Sequence, residues 1–213
     1  MVRKYIIFIV FIVQGFYLFA TEQESDIIII NGVKYSYIIN DPYPMELYFN
    51  EFPEKRPPMI WTSLWRGYIA TFEIIENELW VIKIEKHNDS HERIDITRES
   101  MNGNDKMKID WFNGILLLPH GNRVERALGF DSIIFEYYKI IEIQNGNLIR
   151  ELDINNEQFV ELRDRQFELY KQTEEYNEMV ELLFSTKEEA EIYLKMHTRS
   201  YFDYNIIIEL LYE

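Results

Sequence analysis

Residues Trp61–Glu85 read WTSLWRGYIATFEIIENELWVIKIE. Two runs rich in aromatic and β-branched residues flank Glu76-Asn77-Glu78, the composition of two strands joined by a turn. In the first run Tyr68, Ala70, Phe72 and Ile74 fall on one face and Ile69, Thr71, Glu73 and Ile75 on the other. Across the turn Leu79, Val81 and Lys83 alternate with Trp80, Ile82 and Ile84. Both faces are largely apolar, so this hairpin is expected to be central and covered on both sides. Gly67 at its head fits a bend at the strand start or a close crossing by an aromatic ring.

The same plan repeats outward. Asn31-Gly32, a strong short hairpin signal, sits between Asp26–Ile30 and Val33–Ile39. Gln144-Asn-Gly-Asn147 separates Ser132–Ile143 from Asn147–Leu152, and Ile109–Leu118 is an extended run expected to stop at Pro119-His-Gly-Asn122. Met45–Asn50 fits a helical turn, Phe52–Pro58 a rigid connection, and the polar segment 86–108 a long excursion with one short strand at Arg93–Thr97. From Asn156 the period changes: Phe159, Leu162, Phe167, Tyr170, Tyr176, Met179, Val180 and Leu183 recur among acids and glutamines, as in one or two amphipathic helices. Thr186 with Glu189 forms a capping box opening a helix to about His197 that buries Ala190, Tyr193 and Leu194. Tyr204–Leu211 fits a strand or a helix equally. The expected fold is α+β, mainly β: an antiparallel meander or rolled sheet of hairpins over 21–155, with a helical extension over 156–213 packed on the same domain. No βαβ rhythm is present.

The first twenty residues stand apart. Arg3-Lys4 precedes an apolar run from Tyr5 to Val13, continued by Phe16–Ala20, and Thr21–Asp26 is abruptly polar. That order is a signal peptide over 1–20, so export to the periplasm or cell exterior is expected, with a retained N-terminal membrane anchor as the alternative. No later run is long enough to span a bilayer.

The chain carries 22 Lys plus Arg against 37 Asp plus Glu, a net charge of −15. Loss of Arg3 and Lys4 with the leader makes this −17. Glu151–Glu213 alone holds 16 acidic and 6 basic residues. Such a field repels nucleic acid and anionic lipid and favours a basic protein or peptide. The absence of cysteine excludes disulfides, thiol nucleophiles and thiolate metal sites.

No motif nominates a catalytic acid, base or nucleophile, and no cofactor is expected. His87 and His91, four apart in a polar segment with Glu85, Asp89 and Glu92, form the only conceivable metal site; His120 and His197 are isolated in the sequence. Carboxylate pairs such as Glu73 with Glu85 arise by chance in so acidic a chain. For a ligand or partner contact the candidates are Trp65, Arg66, Tyr68 and Trp111, because an arginine beside tryptophan can stack on aromatic rings or hold a carboxylate by two hydrogen bonds. The same guanidinium can equally tie the sheet to an acidic neighbour within the fold.

The segment Leu64-Trp-Arg-Gly-Tyr-Ile-Ala-Thr-Phe-Glu-Ile74, followed by Leu79-Trp-Val81 and by Trp111-Phe-Asn-Gly-Ile-Leu-Leu-Leu-Pro119, resembles a family of uncharacterised bacterial exported proteins with a Trp-Arg-Gly-Tyr segment leading into an Ala-Thr-[Phe/Trp]-Glu strand. The likeness runs from about Asp26 to Leu152, with Phe72 where the family more often has Trp. It implies a bacterial origin and no activity. The expectation is an exported, non-catalytic binding module, monomeric or weakly dimeric; the alternatives are a carboxylate-dependent hydrolase of the envelope and a structural envelope component.

Overall fold

The structure, a computed structural model, describes residues 24–36, 43–126, 133–184 and 186–197. The leader, Tyr37–Ile39 of the first hairpin and Tyr204–Leu211 lie outside the described residues.

The protein is α+β, with a mostly antiparallel mixed sheet of nine strands. The strands are β1 (Ile27–Ile30), β2 (Val33–Ser36), β3 (Ile69–Ile75), β4 (Glu78–His87), β5 (Arg93–Asp95), β6 (Met107–Lys108), β7 (Gly114–Arg126), β8 (Ile133–Gln144) and β9 (Asn147–Asn155). Among the described residues the helices are α1 (Pro44–Glu51), the short α2 (Thr97–Ser100), and then α3 (Asn156–Tyr170), α4 (Glu174–Leu183) and α5 (Lys187–His197). The strand order is β2-β1-β3-β4-β9-β8-β7, with β5 and β6 also paired to β4.

Among the described residues three tight turns join antiparallel strands. At Asn31-Gly32, Glu76-Asn77 and Asn145-Gly146 both central residues have positive φ, the mirror-image turn whose twist suits antiparallel strands. Two of the three supply the expected Asn-Gly; Glu76 adopts φ 52° without it. The third turn is also a lock. Gly146 accepts from Leu79 N (2.8 Å) and donates to Phe112 O (3.0 Å), while Ile109 N donates to Leu79 O (2.8 Å). A Cβ on Gly146 would overlap the Ile109 carbonyl, so only glycine fits there.

Besides β9 lying next to β4 with β7 at the far edge, two departures from a simple meander position the site. First, β1 pairs parallel to β3, through Ile27↔Thr71 to Ile29↔Glu73. Second, β7 does not stop at Pro119 but runs to Arg126, its register against β8 shifting between His120 and Arg123 and again between Arg123 and Glu125. Proline is tolerated because β7 ends the strand order, where an absent N–H breaks no ladder. Gly121, at φ 79°, carries the chain through the irregularity.

The sheet rolls so that its ends meet: the Tyr35 ring of β2 lies edge-on to His120 of β7, centroids 5.7 Å apart. Inside the roll Ile28, Phe72, Leu79, Val81, Leu116, Leu118, Ile141 and Ile143 form the main core with Met45 and Phe49 of α1. On the outer face of β7–β9, Ile115, Leu117, Tyr138 and Ile140 are covered by α3, whose Phe159 stacks on Tyr138 at 3.8 Å. Asn155 and Gln158 cap α3 reciprocally. The helices then share a small core of Phe167, Tyr170, Tyr176, Val180, Ala190 and Leu194. Tyr193, expected inside, is 49% exposed; Ala190 and Leu194, four apart, set the buried stripe, and Tyr193 lies about 100° round the helix from Leu194.

Candidate functional site

Gly67, at φ 83°, turns the chain sharply enough to send the Arg66 side chain inward before β3 starts. What crosses it closely is the Pro57 carbonyl, with which a Cβ would overlap, rather than an aromatic ring. The Arg66 guanidinium is 2% exposed and Asp26 is 0%. Nη1 donates to Asp26 Oδ2 at 2.7 Å, while Nη2 donates to Oδ1 at 3.1 Å and to Glu24 O at 3.0 Å. Ala70 N adds a fourth hydrogen bond, to Asp26 Oδ1 at 2.8 Å. The rings of Tyr43 and Tyr68 flank the cation at 4.5 and 5.2 Å.

This clamp joins the residue preceding β1 to the start of β3, and so sets the parallel register between them. Burial pushes the Asp26 carboxyl up from its ordinary value, against the pull of Arg66 and the Ala70 N–H. Burial also opposes the Arg66 cation, but Asp26 and the flanking phenols together hold its pKa above the usual value. The guanidinium does not lose its proton in a protein, so Arg66 stays charged against Asp26. Tyr68 is fully buried with an unpartnered hydroxyl, its pKa raised well above the ordinary value by burial and then by the Asp26 charge.

The other sequence candidates do not converge on Arg66. Trp65 is 45% exposed and edge-on to Tyr43 at 6.3 Å. Trp111 stacks on Tyr48 at 5.7 Å and donates Nε1–H to Pro44 O at 2.9 Å. An open groove of about 460 Å³ lies among Ile82, Thr97, Arg98, Glu99 and Asp105, none of them a candidate.

His87 and His91 do come together, ring centroids 6.1 Å apart. His87 Nε2 lies 3.3 Å from Glu24 Oε1, and His91 stacks on Trp61 at 3.4 Å. Among the described residues, however, no three His, Asp or Glu side chains are grouped so as to hold a metal ion.

A cluster that sequence reading passes over lies at the end of the roll where β2 meets β7. His120, isolated in the sequence, places Nε2 2.9 Å from Asp153 Oδ1. Lys139, 7% exposed, binds Asp153 Oδ2 at 3.1 Å and Glu151 Oε1. Tyr137 stacks on His120 at 5.5 Å and Tyr35 closes the other side. Burial works against the Lys139 cation, but the hydrogen bonds and charges of Glu151 and Asp153 together raise its pKa. Asp153 is pulled below the usual carboxylate range: Lys139 and His120 together outweigh its burial. A protonated, doubly paired lysine is not a nucleophile, so Lys139 serves here to hold Glu151 and Asp153.

The third arrangement is on α4 and α5. Glu174, Glu175, Glu178, Glu181, Glu188 and Glu189 are all exposed, with Lys187 the one base between residues 174 and 189. Among them Leu182 is 82% exposed and, on α5, Ile192 59%. Thr173 caps α4, and Glu174 and Glu175 suit the positive end of the helix dipole.

Comparison of the chain with protein-family models, curated proteins and solved structures gives no match.

Proposed function

We propose that the protein is an exported, non-catalytic binding module whose α4–α5 surface takes a basic, amphipathic partner. The observation that supports this reading is the pairing of six exposed glutamates with Leu182, an apolar side chain left almost wholly in water. A uniformly solvated helix face needs no such leucine, and an acidic rim around an apolar point matches the pattern of a protein interface. Opposite charge on the partner would steer its approach and favour it over acidic competitors. Likeness to the bacterial family through the Leu64–Ile74 motif belongs to this proposal too: on this reading the motif is shared because it builds the Arg66–Asp26 clamp.

The test is capture from the envelope fraction by the full chain and by a variant with the six glutamates changed to glutamine. One basic protein held by the parent, released by salt and lost from the variant is the expected result. An identical set retained by both proteins refutes the reading.

A second reading, catalysis at the roll end, is supported by the His120–Asp153 pair alone. His120→Ala would abolish any such activity while leaving partner capture intact.

A further inference from the structure

The loop entering the Arg66 clamp is anchored at several points, yet it presents apolar side chains to water. Pro57 is buried against Gly67, Leu64 is buried, and Trp61 is fixed by its stack on His91 and a 3.1 Å hydrogen bond to Asn88 O. Between these anchors Met59 is 62% exposed, Ile60 43% and Trp65 45%. The stretch Lys55–Phe72 contains no acid, in a chain with 37 of them.

The position of this corner says what covers it. Glu24 donates its backbone N–H to Ser63 O at 2.9 Å, so the chain enters the fold against this same loop. Only residues 21–23 separate Glu24 from Ala20, the last residue of the apolar leader, a span of at most about 14 Å when extended. Whenever the leader lies in a membrane, Met59, Ile60 and Trp65 are within reach of that membrane's surface. Tryptophan beside aliphatic side chains is the composition that settles at the boundary between headgroups and acyl chains. The corner's own sequence adds no charge that anionic lipid would repel, and the Glu24 carboxylate beside it is held by Arg93 at 2.8 Å.

We infer that the Met59–Trp65 corner is a bilayer-seating surface, which rests the folded domain on the outer face of the membrane through which the leader passes. It is independent of the α4–α5 surface and extends the reading of residues 1–20 as a membrane-entering segment. The surface takes lipid, and a second protein at this corner is the competing outcome.

The absence of native cysteine makes the test direct. Met59→Cys and, as control, Leu182→Cys each give the full chain one site for an environment-sensitive fluorophore. Circular dichroism matching the parent verifies that each variant folds. In vesicles of phosphatidylcholine and phosphatidylethanolamine, the label at 59 is expected to shift to the blue and lose intensity to quenchers carried on the acyl chains. The label at 182 is expected to remain open to a quencher in the water. Equal behaviour of the two labels overturns the inference. So does a blue shift at 59 before vesicles are added that dilution reverses, which would mean a second copy of the chain covers the corner.

Discussion

The N-terminal clamp and the C-terminal helices place charge in opposite ways. Arg66 and Asp26 are sealed from water, opposite in sign and joined by two hydrogen bonds, whereas the glutamates of α4 and α5 face outward with one base in their midst. A buried ion pair fixes geometry, because removing either partner strands the other charge in a poor solvent. Exposed like charges do little for the fold and shape what approaches it. The difference separates two roles that one sequence motif and one acidic tail leave open.

Breaking the clamp should have the largest effect. Asp26→Ala or Arg66→Ala is expected to cost about 3–5 kcal/mol in urea unfolding. Replacing both at once with Leu and Met should recover most of that, since neither charge is then stranded. If the double change is as damaging as either single one, the clamp's work lies in more than its charge pair.

Phe159→Ala comes next, at about 3 kcal/mol, because it removes the ring that seats α3 on Tyr138. Loss of that stack should loosen α3 while β1–β4 stay protected, readable by hydrogen exchange along the two halves of the chain.

A smaller effect is expected at the roll end. The depressed pKa of Asp153 means its contribution is full above the ordinary carboxylate value, near 3.9, and fades as pH falls through the lower folded value. For Lys139, whose pKa is raised, the contribution is full below the ordinary lysine value and fades as pH rises through the higher one. Asp153→Asn should therefore flatten the acid limb of stability against pH, by less than about 1 kcal/mol because the pair is partly solvated. An unchanged acid limb would show that Asp153 titrates alike in the folded and unfolded chain.

Much of this architecture is legible in the sequence, for identifiable reasons. Asn31-Gly32 and Asn145-Gly146 announce their turns, and the alternation through Tyr68–Ile84 announces a central hairpin. The helical stripe from Phe159 to Val180 is equally plain. The parallel β1–β3 pair is not, because its cause is a side chain 40 residues away in the chain: Arg66 reaching Asp26. Nor is the roll-end cluster. Counting outward from Gln144↔Asn147 across the two-residue turn pairs Lys139 with Leu152; the register shift between Glu142 and Ile143 moves the partner to Asp153. One extra residue in a strand reverses which face each side chain takes. With the wrong register Lys139 meets no acid there, and His120 stays an isolated histidine. The two-sided potential of Arg66, clamp or ligand contact, is readable as an alternative; its burial depends on Pro57 crossing Gly67, which periodicity does not encode.

The glutamates of α4 and α5 should matter least to the fold. Changing all six to glutamine is expected to move stability by no more than about 0.5 kcal/mol per site, the ordinary range for surface substitutions, and at low salt to raise it as like charges are removed.

The most direct test puts both halves of the comparison in one experiment, measuring partner capture per folded molecule for the Asp26→Leu, Arg66→Met double variant and for the six-glutamine variant. The clamp variant should bind as the parent does despite altered stability, and the helix variant should fold as the parent does and bind nothing. Loss of capture by a folded clamp variant, with capture retained by the helix variant, would contradict the division of roles and return Arg66 to the binding site.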